Sequence, residues 1–194
     1  MPEMDLEKER KILDRQITFF HFKRAKRKIE KCIKWAKKQK DNFFLNYFLA
    51  QRYILKEDFF KAIIYFNCAL KMRPDDGCAY NDKALCLAEL GRYREALDCF
   101  NEGIKRDKDC ASLYHNKGWL LNFLGKYKEA ILCFKKSLEL EKDRVESLYS
   151  LADTYLRLND REKAKDYFKK TLKFIKGKSS FIFKETLKRL KSLK

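Results

Sequence analysis

The apolar positions of this chain recur with a period of 34 residues over most of its length. Four blocks align without a gap, at 43–76, 77–110, 111–144 and 145–178. Within a block, positions 4, 8 and 11 are mostly apolar or small, and positions 17, 20, 24, 27 and 28 continue the same spacing. Because residues three and four apart share one face of an α-helix, each block is predicted to form two amphipathic helices.

Three positions of the repeat hold the same type of side chain in every block. Position 8 is always small: Ala50, Ala84, Gly118 and Ala152. Position 20 is always alanine: Ala62, Ala96, Ala130 and Ala164. Position 24 is always phenylalanine: Phe66, Phe100, Phe134 and Phe168. Small side chains allow helix axes to approach closely, so we expect the phenylalanine rings to fill the core between stacked helix pairs.

The turn between the two helices of a block falls at position 15. Gly91, Gly125 and Asn159 stand there, and these residue types accept the left-handed backbone conformation that ends many helices. The first block has Glu57 at this position. Its turn must therefore either be built differently or carry backbone strain.

Aspartates also follow the repeat, just ahead of each first helix. They are Asp41, Asp75, Asp109 and Asp143, again 34 residues apart. An aspartate side chain at the N-cap accepts a hydrogen bond from an exposed backbone N–H group of the first turn. We therefore predict that these four residues cap the first helices.

Two stretches, YNDKALCLAELGRYREALDCFNEGIKRD at 80–107 and YHNKGWLLNFLGKYKEAILCFKKSLELEKD at 114–143, resemble the tetratricopeptide repeat (TPR) family. The resemblance implies an all-α fold, an α-α superhelix or TPR solenoid of antiparallel helix pairs. The expected organisation is one continuous solenoid: a degenerate TPR-like helix pair at 6–39, TPR units at 43–76, 77–110, 111–144 and 145–178, and a C-terminal capping helix at 179–194. Ser179 or Ser180 could cap that last helix.

The resemblance also predicts where a partner binds, since the first helix of each TPR unit lines the concave groove. The candidate groove residues are Phe44, Tyr47, Gln51, Asn81, Asp82, Leu85, His115, Asn116, Trp119, Asn122, Phe123, Tyr149 and Asp153. This lining is aromatic and amide-rich, with few charges, which suits an extended polypeptide. A structural alternative remains for Trp119 and Phe123, because aromatic residues at helical spacing commonly pack against a neighbouring helix.

The predicted function is a non-enzymatic scaffold or adaptor that binds a partner peptide or protein in this groove. A related alternative is chaperone-like shielding of a partner's hydrophobic segment. One TPR subset grips acidic chaperone tails with a carboxylate clamp of lysine, arginine and asparagine. The corresponding positions here include Asp82 and Ser112, so that binding mode is disfavoured.

The charge distribution supports a different alternative. The net charge of +18 is concentrated at 23–40 and 163–194, which carry +9 and +10, while 41–162 is neutral. Such basic ends could attract RNA, an acidic membrane or an acidic protein, although solvated lysine-rich helices are common. We therefore regard nucleic acid or an anionic surface as a less favoured partner than a polypeptide.

The remaining chemistry is sparse. The seven cysteines show no CxxC pair, and His21 and His115 are the only histidines, so neither a metal site nor a cofactor is predicted. The sequence contains no catalytic motif, and no catalytic residue is assigned. Without a secretory signal or an apolar run of membrane-spanning length, we expect a cytoplasmic protein with reduced thiols and no transmembrane segment.

Overall fold

The structure is a computed structural model that describes residues 4–10, 22–175 and 181–193. Within these ranges every regular element is an α-helix. The described part of α1 spans 6–10. The following helices are α2 (Phe22–Gln39), α3 (Asn42–Ile54), α4 (Phe59–Met72), α5 (Gly77–Glu89), α6 (Tyr93–Arg106), α7 (Ala111–Phe123), α8 (Tyr127–Leu140), α9 (Val145–Arg157), α10 (Arg161–Phe174) and α11 (Phe181–Lys191).

The chain divides into two compact units, Met1–Arg106 (unit 1) and Asp107–Lys194 (unit 2). In unit 1, α3 packs on α4 and α5 packs on α6, while α2 contacts α3 and α4 contacts α5. In unit 2, α7 packs on α8 and α9 packs on α10, while α8 contacts α9 and α10 contacts α11. Each unit is therefore built from consecutive helix pairs, as the 34-residue pattern predicts.

The core of both units is centred on the repeated phenylalanines. Phe66, Phe100, Phe134 and Phe168 have no exposed surface, and neither do the four alanines of position 20. Gly118 shows why position 8 must be small, because a Cβ atom there would lie 2.9 Å from the Phe134 ring. The structure thus confirms that these repeated positions form the helix interfaces.

All four turns at position 15 adopt the same left-handed conformation. The φ angles are 58° at Glu57, 73° at Gly91, 75° at Gly125 and 60° at Asn159. Each of these residues donates its backbone N–H to a carbonyl three residues back, as in Glu57 to Ile54 at 2.9 Å. The first turn is therefore built like the others, and Glu57 carries the strain that a side chain adds to this conformation.

The helix caps differ from the prediction in three of the four blocks. Asp41 does cap α3, and accepts a hydrogen bond from the Phe44 N–H at 3.0 Å. α5 is capped instead by Asp76, which accepts from the Ala79 N–H at 2.7 Å. The N-caps of α7 and α9 are Cys110 and Arg144, without a side-chain cap bond.

The prediction for Asp75, Asp109 and Asp143 is therefore wrong. Helix α5 begins 35 residues after α3, whereas the aspartates recur every 34 residues. From the second block onward, each repeated aspartate consequently lies one residue ahead of the N-cap, where its side chain no longer has the N-cap geometry.

The two ends of the chain are only partly described. The capping role predicted for Ser179 or Ser180 lies outside the described residues, as does 11–21 of the degenerate pair at 6–39. No helix within the described ranges is long and apolar enough to cross a membrane.

Candidate partner-binding site

The thirteen predicted groove residues lie on the first helix of each pair. In unit 1 they are Phe44, Tyr47 and Gln51 on α3, and Asn81, Asp82 and Leu85 on α5. In unit 2 they are His115, Asn116, Trp119, Asn122 and Phe123 on α7, and Tyr149 and Asp153 on α9. The two sets are described separately, because each belongs to its own unit.

In unit 1, four of these residues form a polar cluster around the Asp82 carboxylate. The Tyr47 hydroxyl and the Gln51 side-chain amide each donate to Asp82 Oδ2 at 2.6 Å. The Asn81 amide donates to Asp82 Oδ1 at 3.0 Å. Burial raises the pKa of Asp82, although the hydrogen bonds from Tyr47 and Asn81 act in the opposite direction. The cluster ties α3 to α5.

An arginine from α1 covers the same surface. The Arg10 guanidinium lies over the Tyr47 ring, 5.1 Å from its centroid, and 6.0 Å from the Phe44 centroid. Its Nη1 atom donates to Asp76 Oδ2 at 2.8 Å, and its Nη2 atom pairs with Glu7 at 2.7 Å. Only 9% of the Arg10 side chain is exposed. An aromatic face and a carboxylate thus enclose the guanidinium.

These contacts change the interpretation of the unit 1 residues. Phe44 is 5% exposed and Tyr47 is 1% exposed, and Gln51 and Asn81 are also buried, whereas Leu85 is half-buried. In the described conformation most of this surface is therefore filled, and it carries the charges of Arg10 and Asp76. Sequence reasoning missed both residues, because Arg10 belongs to the most degenerate block and Asp76 was passed over for Asp75.

In unit 2, the aromatic pair of α7 is exposed. Trp119 is 44% exposed and Phe123 is 62% exposed. Their rings stack on each other, with centroids 6.2 Å apart and planes 14° from parallel. Neither side chain is therefore fully buried in the core. Two large apolar residues one helical turn apart form a continuous patch on the surface of unit 2.

His115, one turn before Trp119, is held by a chain of hydroxyl groups. Ser137 Oγ donates to the Ala111 carbonyl at 3.0 Å, and lies 2.9 Å from Ser147 Oγ. The His115 Nδ1 atom lies 2.9 Å from the same Ser147 oxygen. A hydroxyl has one proton, so Ser147 must donate to Ser137 and His115 Nδ1–H must donate to Ser147. Burial, aided by the Arg144 charge, lowers the pKa of His115 to about 3.

The other two groove positions of unit 2 lie on α9. Asp153 accepts a hydrogen bond from Arg157 Nε at 2.9 Å, and lies 3.7 Å from Arg189 of α11. Tyr149 packs on Phe168 with ring centroids 5.6 Å apart, and burial raises its pKa. Asn116 and Asn122 are half-buried on α7. The Asp153 carboxylate is therefore paired with arginines, and Tyr149 packs on the core phenylalanine of its own helix pair.

The remaining candidate ligands are the thiols, the histidines and the acidic side chains of the described residues. All seven cysteines are reduced thiols. Burial raises the pKa of Cys32 to about 12 and that of Cys99 to about 11, so both thiols stay protonated at neutral pH. Across the part of the chain that the structure describes, no three histidine, cysteine or acidic side chains gather in a way that could hold a metal ion.

Several solved structures resemble this chain. TTC0263, a thermophilic TPR protein of Thermus thermophilus, matches with a TM-score of 0.75 and 17% identity, over 97% of this chain and 98% of that chain. MamA matches with a TM-score of 0.63 and 21% identity, over 89% of this chain and 96% of that chain. YrrB, described as a TPR protein with an unusual peptide-binding site, matches with a TM-score of 0.61 and 18% identity, over 95% of this chain and 92% of that chain. These likenesses confirm the predicted all-α TPR fold class.

Comparisons of sequence give two family matches and no significant match to a curated protein. Residues 12–59 match the family model of anaphase-promoting complex subunit 5, which covers about a quarter of the chain. The tetratricopeptide repeat model matches at 75–143 and again at 109–176, together more than half of the 194 residues. The chain belongs to the tetratricopeptide repeat family.

Proposed function

We propose that this protein is a non-enzymatic interaction scaffold, and that the Trp119–Phe123 pair of unit 2 binds a segment of a partner polypeptide. The observation that carries the proposal is the exposure of two stacked aromatic rings on the first helix of a TPR unit. Large aromatic side chains supply contact area with little loss of rotamer freedom, and they dominate the energy of many protein interfaces.

The neighbouring polar groups suit the same role. Asn122 lies between the two aromatic residues in sequence and is half-buried, and its Oδ1 atom is buried without a hydrogen-bond partner among the described residues. The NH2 group of a side-chain amide can donate to the backbone carbonyls of an extended peptide. The similarity to YrrB, whose structure is described as having a peptide-binding site, agrees with a peptide as the partner.

The test is a comparison of matched alanine variants. A partner captured with the unmodified protein is titrated against the double variant Trp119→Ala and Phe123→Ala. We expect a loss of affinity of about tenfold or more, with unchanged helical circular dichroism, because hot-spot aromatics typically contribute more than about 1–2 kcal/mol each. Leu132→Ala is the control, since Leu132 of α8 is 67% exposed and lies outside the predicted groove. Equal affinity of the double variant, or equal loss in the control, contradicts the proposal.

A second candidate function rests on α2. Lys26, Arg27, Lys31 and Lys34 are all exposed on this helix. A basic helix face attracts phosphate groups, and such binding weakens steeply with salt because counterions are released. The candidate predicts binding to single-stranded RNA or anionic vesicles at low salt, reduced when Lys31 and Lys34 are changed to glutamine. If neither RNA nor anionic vesicles bind at low salt, this second candidate function is refuted.

Seven reduced cysteines are typical of a reducing compartment, so we place the protein in the cytoplasm.

If the aromatic pair shields a hydrophobic segment, co-expression should keep an otherwise insoluble partner in solution. The Trp119→Ala and Phe123→Ala double variant should lose that effect.

A further inference from the structure

We propose that unit 1 contains a binding pocket for an arginine side chain, and that Arg10 of the same chain fills this pocket as an intramolecular ligand. A partner segment that presents an arginine would then compete with α1. This inference concerns α1, α3 and the start of α5, and it does not depend on the Trp119–Phe123 pair. The two proposals can therefore fail independently.

The pocket recognises the guanidinium group through three different contacts. The Tyr47 ring lies beneath it at 5.1 Å and the Phe44 ring at 6.0 Å, within the range of cation–π attraction for Tyr47 and at its limit for Phe44. Asp76 Oδ2 accepts from Nη1 at 2.8 Å. A planar, delocalised cation satisfies an aromatic face and an in-plane carboxylate together, whereas a lysine ammonium is a point charge without that shape.

The walls of the pocket are fixed by contacts that do not involve Arg10. Asp76 uses its other oxygen, Oδ1, to cap α5 through the Ala79 N–H at 2.7 Å. The Tyr47 hydroxyl is held by Asp82 at 2.6 Å. Phe44 stacks on Phe48 with centroids 5.8 Å apart. Because each wall has its own anchor, the pocket is expected to persist when Arg10 leaves, and pre-organisation of this kind favours ligand binding.

Arg10 does not use the pocket to the full. Its Nε atom is buried and has no hydrogen-bond partner among the described residues. One of its two carboxylate partners, Glu7, belongs to α1 itself and is 46% exposed at its side chain. An arginine delivered by a different backbone can therefore match the pocket as well as Arg10 does. Leu6 of α1 is buried and Glu9 pairs with Lys28 of α2, so a competing arginine must displace these contacts together with Arg10.

The experiment uses Arg10→Ala in the full chain, with N-acetyl-arginine N-methylamide as the probe. We expect the probe to raise the melting temperature of this variant by about 2–4 °C at a concentration well above its Kd. The unmodified protein should bind the probe at least about tenfold more weakly, because Arg10 occupies the site. N-acetyl-lysine N-methylamide should have no comparable effect on either protein.

A matched double variant tests the role of the carboxylate. Asp76→Asn retains an N-cap residue for α5 and removes the charge that meets the guanidinium. In the Arg10→Ala background it should abolish the response to the probe. The proposal is overturned if Arg10→Ala responds no more than the unmodified protein, if the lysine probe acts equally well, or if Asp76→Asn leaves the response intact. Should Arg10→Ala be too unstable to melt cooperatively, Arg10→Gln retains part of the side-chain stem, and the same three outcomes decide.

Discussion

The two units share one helical framework, but they use equivalent positions of the repeat differently. Position 9 of the repeat is Gln51 in unit 1, where it is buried and bonded to Asp82, and Trp119 in unit 2, where it is 44% exposed. The backbone and core around both positions are alike, with a buried phenylalanine at position 24 in each case. The difference shows that side-chain chemistry, not the fold, decides which surface is filled and which stays exposed.

Position 5 makes the same comparison for polar groups. Tyr47 donates to a buried carboxylate, whereas His115 donates to a chain of serine hydroxyls. Both networks join the first helices of neighbouring pairs, α3 with α5 and α7 with α9. Burial raises the pKa of Asp82 in unit 1 and lowers the pKa of His115 in unit 2. These two groups should therefore make the stability of their units depend on pH in opposite directions.

The largest expected effect is loss of a core phenylalanine. Phe100→Ala in unit 1 and Phe134→Ala in unit 2 should each lower the free energy of unfolding by about 3–5 kcal/mol, since both rings are completely buried. Urea denaturation followed by circular dichroism measures the change. A loss below about 1 kcal/mol in either variant would show that its ring is not part of the core.

Gly118 sharpens this prediction into a double-mutant cycle. Gly118→Ala alone should destabilise unit 2 by about 1–3 kcal/mol, because the new Cβ atom would stand 2.9 Å from the Phe134 ring. In the Phe134→Ala background the same change should be neutral or stabilising, since alanine is the better helix former by about 1 kcal/mol. Additive effects would contradict the close packing of this pair.

The next effect in size is the pH dependence of unit 2. The folded pKa of His115 is about 3, below its ordinary value of 6.5, so the unfolded chain takes up this proton first as the pH falls. The stability from the neutral imidazole is full above pH 6.5 and is lost towards pH 3, about 3 kcal/mol at pH 4. Amide hydrogen exchange of α7–α9 as a function of pH gives the measurement.

His115→Asn isolates the histidine from the carboxylates that also titrate in this range. The asparagine amide can replace the Nδ1–H donor to Ser147, and it has no titration of its own. Its stability profile should therefore be flatter than that of the unmodified protein between pH 6.5 and pH 4, and parallel profiles would refute the assignment. In unit 1 the pH dependence is reversed, because burial raises the pKa of Asp82. The stability contributed by the protonated Asp82 is greatest at low pH and is lost as the pH rises.

A smaller effect distinguishes the two tyrosines at position 5. Tyr47→Phe removes a buried donor to Asp82 and should cost about 1–2 kcal/mol. Tyr149→Phe in unit 2 should cost less than about 1 kcal/mol, since Tyr149 is only half-buried. Thermal melts of the two variants, side by side, test the ranking. Equal losses would mean that the Asp82 cluster adds no more stability than an ordinary half-buried hydroxyl.

The sequence was sufficient for the fold because the fold depends on periodic contacts. Position 8 must be small and position 24 must be large in every block, so the pattern repeats and can be read from Gly118 and Phe134 without coordinates. The left-handed turns could be predicted for the same reason. Asp75 misled because capping depends on a single residue of register, and the interval from α3 to α5 is 35 residues rather than 34.

The filling of the unit 1 surface could not be predicted, because it depends on a contact that breaks the repeat. Arg10 and Asp76 are 66 residues apart, and neither belongs to a position that recurs. A resemblance to regular repeats predicts only the contacts that the repeats share. It does not predict a contact made by Arg10, which belongs to the degenerate helix pair at 6–39. One available signal was Asp82, one of only two acids in the predicted lining, because a buried carboxylate needs hydrogen-bond donors or a cation nearby.

The smallest expected effect compares the turns of the two units. Glu57 and Asn159 both adopt positive φ angles, 58° and 60°, and both are exposed. Glycine removes the steric conflict of a side chain in this conformation, so Glu57→Gly should raise the free energy of unfolding by about 0.5–1 kcal/mol after its own entropy cost. Asn159→Gly should gain less, since asparagine tolerates the left-handed region better than glutamate. Glu57→Ala is the control that removes the charge without relieving the backbone, and it should bring no gain. If Glu57→Ala stabilises as much as Glu57→Gly, the cost at this turn comes from charge, and the strain assigned to the unit 1 turn is refuted.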